Sequence, residues 1–216
     1  LGAFVGEDPN GTWTLTISDD AAGDGGNLNS WSLILTTFAN APTTTTVPTV
    51  TQSTPVAIAD VNVVTSTIAV SGAGPTIFDV NATTFITHTF PNDLDITLTS
   101  PAGTVVTLTS DNAGSNDDVF NGTVWDDSAD PGGQVPYTAD EGLVTDHTYA
   151  VGVLASPLVP EEALGAFIGE DPNGIWTLTI SDDLNGDTGN LGSWSLDIQT
   201  FTCAALTAQV SGTKTR

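Results

Sequence analysis

The amino-acid sequence predicts an all-β fold, a β-sandwich of the jelly-roll type. Three observations support this prediction. Apolar and hydroxylated residues alternate along several short segments, Gly, Pro, Asn and Asp separate those segments, and a helical period is almost absent. Of the 216 residues 39% are hydrophobic and 13% charged, so the chain has enough apolar material for a core. Many short strands joined by such turns are typical of sandwiches.

An internal repeat organises the chain. Residues 1–38 recur at residues 164–201 without a gap, at a constant offset of 163 (164 minus 1) and with nine mismatches in 38 positions. We therefore expect residues 1–38 to be the C-terminal part of one unit. The rest divides into a Thr- and Pro-rich linker at residues 39–55, a complete unit at residues 56–202 and a tail at residues 203–216.

The first copy of the repeat is expected to form an additional N-terminal β-hairpin. Its strands are predicted at Trp13–Ser18 and Trp31–Phe38, where apolar side chains alternate with hydroxylated ones. A lone hairpin is marginal in water, so something must cover it. The cover would be a missing upstream half of the unit or, by strand exchange, a neighbouring subunit.

Within the complete unit, the alternation predicts strands at Thr84–Thr89, Leu94–Thr99 and Val105–Thr109, with a turn at residues 100–103 between the last two. Two further strands are predicted around the apolar sets Trp176, Leu178 and Ile180, and Trp194, Leu196 and Ile198. A single helical turn is expected within residues 160–167.

The charge balance of the chain limits the kinds of partner that it can bind. Asp and Glu number 26, whereas the only Lys and Arg are Lys214 and Arg216. A net charge of −24 repels nucleic acid and anionic membranes and attracts divalent cations. No apolar run reaches the length of a membrane span. A single cysteine, Cys203, allows no intrachain disulfide.

Clustered acidic side chains predict calcium sites. The loop that follows Ile180 carries oxygen ligands and glycines at the short spacings that Ca²⁺ requires, and the first copy repeats the pattern. A second acidic group lies in the middle of the chain, and Asp118 or Asp127 is a candidate to share an ion with the turn at residues 93–95. The candidate ligands are Asp182, Asp183, Asp187, Asn190, Asp19, Asp20, Asp24, Asn27, Asp93, Asp95, Asp118, Asp126 and Asp127. The alternative is a turn in which Asp and Asn bind their own backbone.

The sequence offers little catalytic material. His88 lies in a strand pattern and is interpreted as a structural histidine, and no Gly-x-Ser-x-Gly elbow is present. Two histidines and one cysteine near the terminus leave almost nothing for a zinc site or a Cys-His dyad. Four of the five tryptophans alternate with aliphatic residues and are predicted to be core. A surface glycan is a further candidate partner, through a carbohydrate-binding role.

Three stretches resemble the P domain, also called Homo B, of proprotein convertases and bacterial subtilisin-like proteases. They are His88–Thr104 with its Asp-Leu and Ser-Pro-x-Gly-Thr elements, Phe120–Ala129 with Trp-Asp-Asp, and Gly174–Ile198 with Gly-x-Trp-x-Leu-x-Ile and a second Trp-x-Leu. The resemblance covers roughly residues 61–202, and residues 1–38 match the third stretch alone. It implies a jelly-roll sandwich, export from the cell and often bound calcium, with catalysis in a separate domain.

Together these features predict a non-catalytic, calcium-binding, extracellular structural protein, a subunit of a surface filament or of a tandem-repeat appendage that self-associates. The first alternative is a P-domain module accessory to a secreted subtilisin-like protease. The second is a module that binds carbohydrate.

Overall fold

The computed structural model describes residues 4–19, 22–38, 41–129 and 142–202. Ten strands form two antiparallel sheets. Their bounds are β1 Thr43–Thr46, β2 Val50–Gln52, β3 Val56–Ile58, β4 Asn62–Val70, β5 Ile77–His88, β6 Leu94–Thr99, β7 Val105–Ser110, β8 Asn121–Trp125, β9 Gly174–Asp182 and β10 Gly189–Thr202. Two short 3-10 turns lie at Pro91–Asp93 and Leu164–Phe167. The predicted all-β sandwich is confirmed.

One sheet has β10 and β5 at its centre, β8 on one side and β1, β2 and β3 in succession along the other edge of β10. The second sheet has the order β4-β9-β6-β7. Strands β9 and β10 follow each other in the chain but lie in different sheets, so the loop between them crosses from one layer to the other at one end of the sandwich.

The core lies between the two sheets and is formed by the alternating apolar positions of each strand. Trp176, Leu178 and Ile180 of β9 are buried, as the period of two predicts. Trp194, Leu196 and Ile198 contribute the same pattern from β10. Both tryptophan side chains donate hydrogen bonds inside the core, Trp176 to the Pro172 carbonyl at 2.9 Å and Trp194 to Ser66 Oγ at 2.9 Å.

The segment expected to be a linker, residues 39–55, contains two strands of the sandwich edge, β1 and β2, and ends directly before β3. Thr43 pairs with Thr202 at the start of β1, and Val47 donates its backbone N–H to Ile198 at 2.8 Å. Threonine and valine favour extended backbone. The edge is divided into short strands because Pro48 and Pro55, which lack an N–H, fall between them.

The predicted N-terminal hairpin is wrong in two respects. Residues 4–19 and 22–38 contain no strand as described. Their counterparts β9 and β10 are not a hairpin, since each pairs with other strands in its own sheet. A strand is defined by the ladder of its neighbours, and the neighbours of the first copy are absent from the described residues.

Candidate functional site

The end of the sandwich at which β9 finishes carries a group of four acidic side chains. Asp182 is the last residue of β9 and lies opposite Leu94 of β6, so its neighbour Asp93 approaches from the adjacent strand. The backbone N–H of Asp183 donates to the Asp93 carbonyl at 3.0 Å. Asp187, in the loop from β9 to β10, accepts a hydrogen bond from Thr89 Oγ1 at 2.8 Å. We call Asp93, Asp182, Asp183 and Asp187 the acidic end.

His88, at the end of β5, closes the acidic end from the other sheet. Its Nδ1 accepts the backbone N–H of Phe90 at 3.2 Å, so Nε2 carries the hydrogen and donates to Asp182 Oδ2 at 3.1 Å. The residue is 2% exposed. Both ring nitrogens are therefore engaged and shielded from solvent, as a structural histidine requires, and the ring has no free nitrogen to act as a general base.

The buried carboxylates of the acidic end are only partly satisfied. Asp182 is 2% exposed, and its second oxygen, Oδ1, has no hydrogen-bond partner. Asp93 is equally buried. Burial raises the pKa of Asp93 above its ordinary value, and the charges of Asp182 and Asp187 raise it further against the opposing effect of His88. The site thus favours a proton or a cation beside these two side chains.

The chemistry of the acidic end fits calcium, because a buried carboxylate oxygen without a partner is a ligand that a hard cation prefers. As placed, however, the side chains of the described residues do not bring three or more His, Cys, Asp or Glu together around one point. Asp93 and Asp182 would hold the ion, and further oxygens would have to come from backbone carbonyls or water.

Other candidate ligands of the complete unit lie near this end without contacting Asp182. Asp118 accepts the backbone N–H of His88 on Oδ1 at 3.0 Å. Asn190 uses its backbone carbonyl to accept a bond from Thr87 Oγ1 at 3.4 Å. The pKa of Asp95 is raised, first by burial and then by the charges of Asp111, Asp183 and Glu161. These residues add to the negative field of the acidic end.

Asp126 and Asp127 lie beside the opposite end of β5 from His88. Both oxygens of Asp127 accept backbone N–H groups at 2.8 Å, from Leu164 and Gly165 at the start of a 3-10 turn. Burial raises the pKa of Asp79, near the start of β5, and the charge of Asp126 raises it further. The structure therefore places Asp118 beside His88, which contacts the acidic end, and holds Asp127 at the start of another turn.

The loop of the first copy presents Asp19, Asp24 and Asn27 to solvent. Asp20 lies outside the described residues. In the complete copy, His88 and Asp93 close this loop. Residues 4–38 contain no residues that correspond to them. The first copy therefore has the acidic loop but lacks the residues that pack against this loop in the second copy.

Sequence reasoning missed Asp60, Asp79 and Glu170 as parts of these acidic networks. Asp60 accepts the Gly186 N–H at 3.0 Å and so holds the tip of the β9–β10 loop. Glu170 accepts hydrogen bonds from Ser100 Oγ at 2.6 Å and from Thr104 Oγ1, which fixes the β6–β7 turn. Each lies far in sequence from its partner, so no local motif marks it.

The aromatic platform required by a carbohydrate-binding role is absent from the complete unit as described. Trp125, Trp176 and Trp194 are fully buried, which confirms their assignment to the core. Trp125 also donates to Thr84 Oγ1 at 3.0 Å inside the sandwich. Trp13 is half-buried and Trp31 is 48% exposed, so three of the five tryptophans lie in the core rather than the four predicted. Cys203 lies outside the described residues.

Comparison with known proteins gives one family. The family model described as the proprotein convertase P-domain matches residues 1–35, 77–131 and 144–198. The transglutaminase-activating metalloprotease of Streptomyces mobaraensis is 28% identical over 186 residues, which are 85% of this chain and 18% of that protein. The chain therefore spans less than a fifth of the length of this relative.

Two solved structures of an Aeromonas sobria protein are also similar. The crystal structure of the serine protease in complex with its chaperone has a TM-score of 0.47 at 23% identity, and covers 75% of this chain and 28% of the other. The crystal structure of the serine protease alone has a TM-score of 0.44 at 22% identity, over 74% and 28% of the two chains.

Proposed function

Because the chain belongs to the proprotein convertase P-domain family, we propose that it is the non-catalytic accessory module of a secreted protease, where it binds and stabilises the catalytic domain. The family match carries this proposal. It extends over well more than half of the chain and includes both copies of the repeat. It favours the protease module over the filament subunit that the repeat first indicated, and the filament stays a prediction.

The relatives agree with a modular role. The match to the metalloprotease leaves most of that protein outside the aligned region. In the described residues of this chain, the one buried histidine has both nitrogens engaged. A scaffold with a closed core and charged loops is suited to hold another domain rather than to perform chemistry itself.

No helix of the described residues is long and apolar enough to cross a membrane.

The parent polypeptide is the first test of this function. Mass spectrometry of the native secreted material would identify the protein from which peptides of residues 56–202 derive. We expect a longer chain with a protease catalytic domain, inhibited either by a serine-directed reagent or by a chelator of its catalytic metal. Peptides that come from a chain without any protease domain would contradict the proposal.

An apolar patch beside β8 is the surface that we propose for contact with the catalytic domain. It consists of Phe85, Val151, Val153 and Leu154, each between 43% and 63% exposed. A Cβ built on Gly122 would lie 3.5 Å from Leu154 and 3.6 Å from Phe85, so these side chains border one point of the surface. Neighbouring exposed apolar side chains are typical of surfaces that contact another protein or domain.

Substitution in the β8 patch separates contact from folding. Leu154→Asp should lower the Tm of the parent protease while the isolated module keeps its own Tm, because Leu154 is already half exposed in the module. Val63→Asp is the matched control, since Val63 is 58% exposed on the other sheet. Equal effects of the two substitutions on the parent protease would reject the β8 patch as the interface.

We also propose that calcium binds at the acidic end and rigidifies the β9–β10 loop. The proposal is supported by the unpaired Oδ1 of buried Asp182 and by the raised pKa of Asp93. Bound calcium would satisfy both carboxylates and offset their mutual repulsion. A ligand that binds the folded state alone stabilises it by about 2.7 kcal/mol at a hundredfold excess over its Kd.

Thermal unfolding in calcium and in chelator tests the metal. Millimolar calcium should raise the Tm of the wild-type chain, and Asp182→Asn should abolish that increase. Asp146→Asn removes the same charge from an exposed position and should leave it intact. A wild-type Tm that does not respond to calcium would exclude the site, and would leave the protease-module proposal untouched.

A further inference from the structure

Several local features of the first copy match those of the complete copy, although the first copy lacks the strands that surround it there. Three glycines show this. Gly6, Gly11 and Gly23 have φ angles of 89°, 138° and 125°, and their counterparts Gly169, Gly174 and Gly186 have 94°, 137° and 132°. These left-handed and extended positive angles are accessible mainly to glycine. The backbone of the first copy therefore has the same conformation at these three glycines.

Side-chain contacts repeat as closely as the backbone. Trp13 Nε1 donates to the Pro9 carbonyl at 3.0 Å, and Trp176 Nε1 donates to the Pro172 carbonyl at 2.9 Å. The rings of Phe4 and Trp13 lie 5.2 Å apart at 80°, and those of their counterparts lie 5.1 Å apart at 79°. The Asp8–Asn10 turn likewise repeats the turn of Asp171 and Asn173.

What differs between the copies is burial. Leu15, Ile17, Trp31, Leu33 and Leu35 are between 38% and 65% exposed. Their counterparts at the offset of 163 are at most 1% exposed; they are Leu178, Ile180, Trp194, Leu196 and Ile198. All five positions stay apolar in both copies, and only Leu35 differs from its counterpart. Residues 4–38 thus present the inner face of a sandwich to solvent.

The pairing of β9 and β10 defines what would cover this face. Strand β9 pairs with β4 and β6 in one sheet, whereas β10 pairs with β5 and with the β1–β3 edge in the other. A single donated strand would serve only one of the two layers. The cover must therefore bring both sheets, as residues 41–163 with β1 to β6 and β8 do for residues 164–201.

A second copy of this chain does not offer that surface, because its own β9 and β10 already fill the two sheets. We propose that residues 4–38 are the last two strands of a second sandwich, and that their apolar side chains are covered by another copy of residues 41–163, from an adjacent P-domain that lacks these strands. The proposal concerns the first copy alone and does not depend on the protease role.

A fusion protein tests directly whether a second unit covers residues 4–38. A second copy of residues 41–163, which includes the edge strands β1 and β2, is joined ahead of residue 1 and reproduces the natural junction of residues 163 and 164, because residue 1 corresponds to residue 164. Hydrogen exchange is then measured by mass spectrometry. Amides of residues 11–38 should slow by about a hundredfold or more, since their opening would require opening of a whole sandwich. Residues 174–201 serve as the reference within the same molecule.

A matched fusion carries Leu15→Asp and Leu33→Asp, which place charges at core positions of the added sandwich. Residues 11–38 should then exchange as fast as in the unfused chain, while residues 174–201 stay protected. Two results would overturn the proposal. One is a parent fusion whose residues 11–38 remain unprotected beside a protected second sandwich. The other is a dimer of the unfused chain that protects residues 11–38, because this would make a second copy the occupant.

A shortened chain provides a second test that needs no added sequence. In residues 1–163 the unit at 56–163 has lost its own β9 and β10, so the first copy is the available replacement. Phe38 corresponds to Phe201, which pairs with Thr44, and only residues 39–43 would have to connect them. We expect chain 1–163 to unfold cooperatively in urea and chain 39–163 to be unfolded. Two unfolded chains would overturn the proposal.

Discussion

Gly189, the first residue of β10, lies opposite His88 of β5. A Cβ built at this position would lie 2.2 Å from the Thr87 carbonyl oxygen and 2.5 Å from His88 Cδ2. The contact is with backbone and with a ring already held on both sides, so neither can move aside. The first copy keeps a glycine at the corresponding position, Gly26.

Gly189→Ala should therefore lower the free energy of unfolding by about 3 kcal/mol, at the upper end of overpacking costs. Gly192→Ala, three residues further along β10, is the control. Its Cβ would meet only the Phe85 carbonyl oxygen at 3.5 Å, which is an ordinary contact. Urea unfolding measures both, and equal stability of the two variants would contradict the described packing.

Asp79 provides a pH test at the residue scale. Its pKa is raised above the ordinary value, first by burial and then by the charges of Asp126 and Asp127. The folded state therefore binds this proton more tightly than the unfolded chain. The contribution to stability is present at low pH and is lost as pH rises through the raised folded pKa.

In chelator, the free energy of unfolding of the wild-type chain should thus increase as pH is lowered from neutral toward about 3.9, the ordinary pKa of the unfolded carboxyl, because the folded state takes up this proton first. Asp79→Asn should reduce this increase, because the amide cannot take up the proton. Urea titrations at the two pH values measure the difference. An unchanged pH dependence in Asp79→Asn would show that Asp79 does not contribute.

At the scale of elements, β9 and β10 were the most predictable parts of the fold. Their tryptophans, leucines and isoleucines alternate with polar residues over the full strand, and such a pattern fixes which face is buried. The β6–β7 hairpin was predictable from its Ser-Pro-Ala-Gly turn. The N-terminal hairpin was predicted wrongly because local alternation predicts a strand but does not predict which strand pairs with it.

The edge strand β1 was missed because its four threonines show no alternation and all are exposed. What holds this segment is Val47, which is 9% exposed and bonded to Ile198. Val47→Asp should lower the free energy of unfolding by about 3 kcal/mol, from lost apolar burial and a poorly solvated charge. Thr44→Asp, at an exposed position of the same strand, should change it by less than about 0.5 kcal/mol. Urea unfolding measures both variants. Similar small effects of the two substitutions would indicate that the segment is a linker and not part of the sandwich.

The candidate site shows the same limit of sequence reasoning. Asp182, Asp183 and Asp187 were identifiable because they cluster within one loop. The contacts of Asp182 with His88 and of Asp183 with Asp93 depend on the pairing of distant strands, which no local spacing encodes. Asp127 was grouped with these residues through its acidic neighbours, whereas in the structure it binds the start of a distant turn.

At the scale of the whole molecule, the chain combines one closed sandwich with a preformed part of a second. The closed sandwich buries its tryptophans, places four acidic residues at one end and leaves the β8 patch exposed. The open part exposes the same side chains that the closed one buries. Both surfaces agree with the role that we propose, an accessory module within a larger protein.

The central claim is that this P domain stabilises a protease catalytic domain. The most direct measurement is the rate of thermal inactivation of the parent protease, compared with the same protease from which residues 41–202 have been removed. We predict that removal accelerates inactivation at least about tenfold, which corresponds to a loss of about 1.4 kcal/mol from the barrier. An unchanged inactivation rate, with activity retained, would contradict the claim.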